Sequence, residues 1–326
     1  MNRIALIVPH FGHFSNYFKF WLQSCIHNSD VDFLVFTDDK DAISYMSRNG
    51  GANIKTFETK LSELKELFES KVQMEVSLTS PYKLCDFRCL YGVLFADYLY
   101  GYEFWGHCDN DLIFGDISNF ITNEILNKYD KILSRGHLTI YRNIPEVNEF
   151  FKKSEEVEDI PSWTNVITSP KSYAFDEWAG VSKLWQTLNP TKIYDELIFD
   201  DINCMKKHFL SFQKVINHLD DEKSNFLFEY NHGCLYRYGL MKNKIIKEET
   251  CYVHFQKRPM KVSTNEYDSF ICRPNEFVDF QPITKKLLLD WGKKYLFYSV
   301  YFKIRLRNFK RKIKERLFYD KTMFSL

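Results

Sequence analysis

Two aspartates, Asp109 and Asp111, are the residues of this sequence that most clearly indicate a functional site. They directly follow the run 103–108, which the pattern predicts to be a buried strand. Two carboxylates held together at a strand end repel each other unless a divalent cation or basic side chains offset their charge. Carboxylate oxygens suit Mg²⁺ or Mn²⁺, above all when the ion also binds phosphate oxygens. The alternative is a solvated turn in which Asp111 caps a helix.

The Asp-x-Asp pattern has little weight without its position in the chain. Two further copies, Asp30/Asp32 and Asp39/Asp41, occur in this sequence. The first precedes a predicted strand, and the second lies at a predicted helix start, where carboxylates are common. The copy after the strand is therefore the candidate metal site.

A histidine, His254, ends the apolar stretch 250–255. A lone histidine on an apolar strand is commonly a hydrogen-bonded core residue. If it lies near Asp111, however, the combination of two carboxylates and one imidazole is a sound Mn²⁺ site when a diphosphate fills the remaining positions. Lys257 and Arg258, just after it, are either part of a phosphate clamp or a solvated basic pair.

Transfer of a group to a hydroxyl can require a carboxylate that deprotonates that hydroxyl. Asp176 and Glu177 are the candidates, because Phe175 and Trp178 bracket them and an aromatic ring can bind the face of a ligand ring. The alternatives are a surface loop packed by two aromatic residues, or a reaction that needs no such base. His137 is a second candidate for lining the donor or acceptor.

Apolar runs alternate with helical patterns in the first half of the chain. Strands are predicted at 4–8, 31–36, 53–57 and 103–108, and one long helix is predicted over 81–98. This series predicts an α/β fold with an open, mainly parallel sheet flanked by helices, in which ligands bind beyond the carboxyl ends of the strands. The segment from about 130 to 250 gives no clear pattern.

The net charge of +1 conceals a strong asymmetry. From Lys293 onward there are eleven Lys/Arg and two Asp/Glu, a charge of +9, which leaves 33 basic and 41 acidic residues, a charge of −8, in the body. An acidic body argues against a nucleic-acid partner. The tail is predicted to be a basic amphipathic helix over 284–318 that binds an anionic membrane surface. The alternative, a helix packed on the domain, explains 287–291 better than 303–316.

Targeting signals and cysteine chemistry are not evident in the sequence. No apolar stretch approaches the ~18 residues of a membrane span, and the run 4–8 is too short for a signal peptide. The eight cysteines show no C-x-x-C pair or zinc spacing and are expected to be reduced thiols. The expected location is therefore cytoplasmic, peripheral on the inner face of the cell membrane.

The order of several short motifs resembles that of the GT-A glycosyltransferases. The motifs are Ile7-Val8-Pro9, Phe36-Thr37-Asp38, Pro81-Tyr82-Lys83-x-x-Asp86-x-Arg88, Gly106-His-Cys-Asp109-Asn-Asp111 and Val253-His254-Phe255. More narrowly, the chain is similar to an uncharacterised glycosyltransferase-like family found among bacterial capsule and O-antigen biosynthesis proteins. The resemblance covers roughly residues 1–280, and its strongest part is the joint occurrence of Pro-Tyr-Lys-x-x-Asp and the later Asp-x-Asp. Cys89-Leu90 departs from the expected pattern but touches no proposed ligand.

The resemblance implies a role for individual residues. Asp111 would bind Mn²⁺ or Mg²⁺ directly, Asp109 would contact the ribose or the metal, and His254 would complete the coordination shell. The other implied contacts are with the nucleotide: Asp86 near ribose or uracil, Lys83 near phosphate or as a helix-surface partner, and Pro9, Phe11 and Thr37 around uracil.

The resemblance also implies an activity and a domain organisation. Residues 1–283 would form a GT-A-like, Rossmann-like catalytic domain, and 284–326 the basic helical tail. The implied reaction is metal-dependent, hexosyltransferase-like transfer from a UDP-sugar to a cell-surface polysaccharide or lipid-linked oligosaccharide, as in capsule or lipopolysaccharide synthesis. The alternative is a non-catalytic scaffold at the membrane that binds nucleotide sugars or carbohydrate.

Overall fold

The structure is a computed structural model that describes residues 3–204, 206, 208–209, 226–291, 299, 301–303, 305–307, 309–310 and 313. The chain forms two compact units, Met1–Ile198 and Phe199–Leu326. The division predicted from sequence, a catalytic domain over 1–283 followed by a tail, stays a prediction.

The first unit alternates strands and helices along most of its length. Its strands are β1 (Ile4–His10), β2 (Val31–Thr37), β3 (Ile54–Glu58), β4 (Phe104–Cys108), β5 (Leu112–Phe114), β6 (Lys131–Arg135), β7 (Leu138–Arg142) and β8 (Ile193–Tyr194). Its α-helices are α1 (Phe18–His27), α2 (Lys40–Asn49), α3 (Leu61–Val72), α4 (Tyr91–Leu94), α5 (Asn123–Lys128), α6 (Pro145–Asn148), α7 (Trp163–Thr168) and α8 (Val181–Leu188). Short 3₁₀ helices lie at Pro81–Leu90, Ala96–Tyr98, Ile117–Asn119, Phe150–Glu155 and Pro190–Lys192.

Seven of these strands form one mixed sheet in the order β3-β2-β1-β4-β7-β6-β8. The pairs from β3 to β4 and the pair β6-β8 are parallel, whereas β7 is antiparallel to both its neighbours. β1 and β2 are buried along almost their whole length, as expected for strands covered on both faces. The predicted α/β class, with a mainly parallel mixed sheet and flanking helices, is confirmed.

The predicted long helix over 81–98 is wrong. The segment is a 3₁₀ helix at Pro81–Leu90, followed by the single turn α4 and a second 3₁₀ turn. In a 3₁₀ helix the side chains at i and i+3 align, and here that spacing brings Lys83 onto Asp86 inside the protein. Tertiary hydrogen bonds of this buried pair to later backbone groups, which an apolar pattern at helical spacing does not report, hold the segment in place.

The second unit contains an antiparallel sheet that lies in and beyond the part of the sequence without a clear pattern. Its strands are β9 (Asp200–Asp201), β10 (Leu227–Asn231), β11 (Cys234–Met241), β12 (Lys244–Glu249), β13 (Tyr252–His254), β14 (Lys261–Ser263), β15 (Ser269–Arg273) and β16 (Glu276–Asp279). The sheet order is β12-β11-β10-β15-β16-β14, and every described pair except β14-β16 is antiparallel. Separately, β9 pairs with β13 in parallel.

The C-terminal region is helical where the structure describes it. An α-helix, α9, occupies Lys285–Trp291, and the described residues between 299 and 313 are also helical. Phe302, Leu306, Phe309 and Ile313 are exposed there and recur at helical spacing. The remainder of the predicted basic helix lies outside the described residues. Among the helices of the described ranges, none is long and apolar enough to cross a membrane.

Candidate active site at the carboxyl edge of the first sheet

The parallel pairing of β1, β2 and β4 brings their carboxyl ends to one edge of the sheet. His10 is in register with Thr37, and Ile7 with His107, so the chain leaves all three strands at nearby positions. The amide Nδ2 of Asn110 lies 2.7 Å from Nδ1 of His10, which ties the middle of the acidic triplet to the end of β1. This edge is where a doubly wound sheet binds ligands.

The residues predicted to frame a uracil pocket lie at this edge and differ in exposure. Thr37 is fully buried, and its hydroxyl accepts a hydrogen bond from the backbone N–H of Asp39. Phe11 is part of the hydrophobic core, whereas Pro9 is half-buried. The role of the three residues in binding a base stays a prediction.

Arg88 connects two acidic segments that are far apart in sequence. Its guanidinium forms a salt bridge with Asp109, and its Nη1 lies 3.1 Å from Oδ2 of Asp176. Nη1 also donates to the carbonyl of Gly136. The guanidinium therefore offsets part of the repulsion between the acidic triplet and the segment that carries the predicted base.

Asp176 is almost completely buried, at 2% exposure. Burial raises the pKa of its carboxyl to about 7; Arg88 opposes this shift, and the charge of Glu177 adds to it. Its Oδ1 makes no hydrogen bond within the part of the chain that the structure describes. The two candidate bases therefore differ in exposure, because Asp176 is buried and Glu177 is exposed.

Gly136 lets the backbone between β6 and β7 approach the acidic pair. A Cβ at this position would lie 3.0 Å from Oδ2 of Asp176 and 2.7 Å from Oε1 of Glu177. The aromatic residues that bracket the pair also differ. Phe175 belongs to the core, whereas Trp178 is 56% exposed, with the Arg135 guanidinium 4.3 Å from its ring centroid.

Asp111 lies directly before β5 and is 4% exposed. Burial, and after it the charge of Asp111, raises the pKa of the Tyr17 hydroxyl. The alternative interpretation of Asp111 as a helix cap is wrong, because a strand follows it. The predicted metal role of Asp109 and Asp111 stays a prediction.

Lys83 and Asp86 form a buried ion pair with a separation of 2.7 Å. Lys83 Nζ also donates to the carbonyls of Val166 and Lys171, at 2.8 and 2.6 Å. Asp86 accepts from the backbone N–H groups of Tyr173 and Phe175. These hydrogen bonds hold the segment that precedes Asp176. The prediction that the pair contacts nucleotide gains no support from them and stays a prediction.

His137 is 8% exposed and connects β6 to β7. Its backbone carbonyl accepts a hydrogen bond from the N–H of Asp109 at 2.9 Å. The residue therefore lies beside the start of the acidic triplet, and its predicted contact with a sugar stays a prediction.

His254 belongs to the second unit, where it ends β13 and is 8% exposed. Its Nδ1 lies 2.8 Å from Oδ1 of Asp201, and Gln256 Nε2 donates to the same oxygen at 2.8 Å. The ring is therefore oriented by a carboxylate, which is common among histidines that bind metals. Its predicted metal role stays a prediction.

The basic pair after His254 is divided by burial. Lys257 is exposed, whereas Arg258 is fully buried. Arg258 donates to Asn275 Oδ1 and to the carbonyls of Asn203 and Lys206. The solvated alternative is therefore wrong for Arg258, whose guanidinium holds neighbouring loops together, and the predicted phosphate clamp stays a prediction.

Two residues in these clusters, Arg88 and Asp201, differ in how clearly the sequence marks them. Arg88 stands in the motif that carries the family resemblance, two positions after Asp86, and that spacing is a signal for it. Asp201 follows Asp200 between the apolar residues Phe199 and Ile202. An acidic pair within an apolar stretch is a weaker signal, and it does not identify a histidine partner.

The family is established by a match over most of the chain. Residues 6–281 match the model of a family of unknown function, DUF6625, and the protein belongs to this family. No curated protein sequence matches the chain.

Several solved structures of glycosyltransferases are similar to this chain at low identity. The galactosyltransferase LgtC in complex with donor and acceptor sugar analogues is 11% identical, with a TM-score of 0.38 over 78% of this chain and 88% of that one. Mouse xyloside xylosyltransferase 1 is 7% identical, with a TM-score of 0.38 over 62% of this chain and 88% of that one. GlyE of Streptococcus pneumoniae is 10% identical, with a TM-score of 0.33 over 60% of this chain and 45% of that one. Similarity at this level does not assign an activity to the chain.

Proposed function

We propose that this protein is a metal-dependent glycosyltransferase of the GT-A type that uses a nucleotide sugar as donor. The proposed donor is a UDP-sugar, and the proposed acceptor is a cell-surface polysaccharide or a lipid-linked oligosaccharide. The observation that carries the proposal is the contact of Arg88 with both Asp109 and Asp176. This contact brings acidic groups from two distant segments together at the carboxyl edge of the sheet. The order of motifs along the chain resembles that of GT-A enzymes.

We propose that Asp109 and Asp111 bind the cation, with His254 as the further ligand that the sequence resemblance implies. The donor set fits Mn²⁺ or Mg²⁺, because it combines two carboxylates that follow one strand with an imidazole held by a carboxylate. When bound, the cation acts as a Lewis acid that stabilises the negative charge of the departing nucleoside diphosphate. Arg88 holds the carboxylate of Asp109 through a salt bridge.

Asp176 is the proposed carboxylate at the reacting sugar. A buried acceptor atom needs a partner, and a sugar hydroxyl at Oδ1 of Asp176 would supply one. If the enzyme inverts the anomeric centre, a carboxyl with a pKa of about 7 is also well matched to accept the proton of the acceptor hydroxyl. Glu177 and the exposed ring of Trp178 lie beside it and are assigned to the acceptor saccharide.

The remaining predicted nucleotide contacts fall into two groups. Pro9, Phe11 and Thr37 are proposed to border the base at the ends of β1 and β2, with Lys257 near phosphate. Lys83 and Asp86 are proposed to act indirectly, because their ion pair and its backbone partners fix the segment before Asp176.

A membrane-bound acceptor is consistent with the C-terminal region. Its described helical residues expose apolar side chains among basic ones, with Phe302, Leu306 and Phe309 beside Lys303, Arg305 and Arg307. Such a face binds anionic lipid surfaces. We propose peripheral attachment through this tail, which would keep the enzyme at a lipid-linked acceptor of the kind used in capsule or O-antigen synthesis.

The donor site can be tested by thermal unfolding of the purified protein with UDP, GDP, CMP or dTDP, each with and without Mn²⁺. A ligand that binds only the folded state raises the melting temperature by mass action. We expect stabilisation by UDP that requires Mn²⁺ and is lost in Asp111→Ala. The matched control is Asp41→Ala, which changes an exposed aspartate of another Asp-x-Asp and should respond like the wild type.

The alternative function, a non-catalytic scaffold that binds nucleotide sugars, predicts the same stabilisation without chemistry. The two are separated by incubation of UDP-sugars with the protein and Mn²⁺ in the absence of acceptor. Slow release of free sugar that requires Asp111 supports the enzyme, whereas tight binding without release supports the scaffold. Absence of a thermal shift with every nucleotide would contradict both.

A further inference from the structure

We propose that Asp201 is a positioning residue that fixes the ring of His254 for coordination of the cation through Nε2. The inference rests on the proposed function, because it concerns how one ligand of that cation is held. It is carried by the contacts of Asp201 within the second unit.

The backbone places the two side chains next to each other. β9 and β13 are parallel neighbours, and His254 is in register with Asp201. The N–H of Ile202 donates to the carbonyl of His254 at 2.9 Å, which extends the pairing one residue beyond the aspartate. The distance of 2.8 Å between Nδ1 and Oδ1 is therefore set by strand pairing.

The carboxylate of Asp201 is itself oriented by Gln256. The amide Nε2 of Gln256 donates to the same oxygen, Oδ1, at 2.8 Å. Gln256 has a φ of 51°, in the left-handed region that non-glycine residues seldom adopt. This turn directly after β13 returns the amide to Asp201, so the oxygen accepts from two donors.

The preceding residue, Asp200, differs in its partners. It is 1% exposed and forms a salt bridge with Arg237, which also binds Glu248. Asp200 therefore links β9 to the antiparallel sheet, whereas Asp201 forms a hydrogen bond with His254. Of the two acidic residues, Asp201 is the one whose removal should act through His254.

The chemistry follows from the two nitrogens of imidazole. A carboxylate accepts hydrogen bonds and does not donate them, so its partner Nδ1 must carry the proton. The neutral ring then presents the lone pair of Nε2 to the cation, and the negative partner makes the ring a stronger electron donor. Loss of such a partner typically weakens metal affinity about 10–100-fold.

The test compares Asp201→Asn, Asp201→Ala and His254→Ala with the wild type. Mn²⁺ affinity is measured by electron paramagnetic resonance of the free ion, and the His254 tautomer by ¹⁵N NMR of the metal-free protein at pH 8.5. The His254 signals are those missing from His254→Ala. Asp279→Asn, at an exposed aspartate of the same unit, is the matched control.

We expect the wild-type ring to carry its proton on Nδ1 and Asp201→Ala to shift it towards Nε2. We expect Mn²⁺ affinity to fall about 10-fold in Asp201→Asn and about 100-fold in Asp201→Ala. Asp201→Asn keeps the shape of the side chain, so it remains informative if Asp201→Ala fails to fold. Asp279→Asn should match the wild type in both measurements.

The outcomes separate the two proposals. If His254→Ala loses Mn²⁺ binding while both Asp201 variants bind as the wild type does, the positioning role is overturned and the metal site stands. An Nε2–H tautomer in the wild type would overturn the positioning role as well. If the wild type binds no Mn²⁺, or if His254→Ala leaves its affinity unchanged, the proposed metal site itself is wrong.

Discussion

One short segment, Pro81–Leu90, supplies two basic residues whose surroundings differ sharply. The Lys83 and Asp86 side chains are 2% and 0% exposed, and their further partners are backbone groups and the Tyr173 ring, whose centroid lies 5.3 Å from Lys83 Nζ. The side chains of Arg88 and Asp109 are 14% and 25% exposed and lie at the carboxyl edge of the sheet. One ion pair, Lys83–Asp86, therefore lies in the interior, whereas the other, Arg88–Asp109, lies at the proposed site. Exposure and partners, rather than residue type, decide between these roles.

Removal of the buried acid should have the largest effect on stability. In Asp86→Asn the ammonium of Lys83 remains buried without its counter-charge, and loss of one partner of a buried pair costs about 3–5 kcal/mol. We expect a loss of that size in the free energy of unfolding, measured by urea denaturation. Molecules that stay folded should still bind UDP with Mn²⁺ at close to wild-type affinity. A large loss of affinity with little loss of stability would return Asp86 to the nucleotide site.

The pH dependence of the free energy of unfolding should show the titration of Asp176, the buried carboxyl that contacts Arg88. Burial raises the pKa of Asp176 to about 7 in the folded protein, so the native state binds more protons than the unfolded chain above pH ~4. Stability should therefore fall as pH rises towards 7, by roughly 2–3 kcal/mol between pH 5 and pH 8 from this group.

Asp176→Asn removes this titration and keeps an oxygen for Arg88. The difference between the two unfolding free energies should thus shift in favour of the variant as pH rises. The control is Asp159→Asn, at an exposed aspartate of the same unit, which should follow the wild type at every pH. Parallel pH profiles for wild type and Asp176→Asn would show that Asp176 does not titrate in this range.

Much of the first unit is predictable because its strands are continuous apolar runs bounded by turns. β1, β2, β3 and β4 all lie within two residues of the predicted ranges. The position of Asp109 and Asp111 at a strand end follows from the same pattern. A sequence pattern does not show which side chain or backbone group each charged residue will contact. Lys83 is an ordinary surface residue type, and only the tertiary contacts with Val166 and Lys171 explain its burial.

The strands of the second unit are less predictable from the sequence than those of the first. Its strands are short and pair in an antiparallel sheet, and β11 alternates buried and half-buried residues that include Tyr, Arg and Cys. Because Arg237 and Gly239 occupy buried positions and Tyr236 and Tyr238 half-buried ones, the residue types lack the apolar/polar alternation that predicts a strand. The link between Asp201 and His254 depends on the pairing of β9, two residues long, with β13. An element of that length leaves almost no periodic signal.

A methyl group at Gly136 should have an intermediate effect. In Gly136→Ala the new Cβ meets Oδ2 of the buried Asp176 at 3.0 Å, and Glu177 must move as well. Overpacking of this kind costs about 1–3 kcal/mol, and we expect the lower end because Glu177 is exposed. The same shift should disturb the Arg88 contact and reduce transfer activity by at least ~10-fold. Gly12→Ala, where a Cβ meets nothing within 4 Å but φ is 86°, is a control for backbone strain without a clash.

The smallest change in stability is expected at Trp178, whose ring is 56% exposed beside Arg135. A cation–π contact at an exposed position contributes about 0.5–1 kcal/mol, so Trp178→Ala should alter the free energy of unfolding by no more than this. If the ring binds the acceptor saccharide, the KM for acceptor should rise about 10-fold while the KM for the donor stays constant. Trp178→Phe keeps a flat apolar surface and should restore most of the acceptor affinity. A variant with normal acceptor kinetics would place the acceptor elsewhere, and would leave Arg88 with Asp109 and Asp176 as the functional part of this edge.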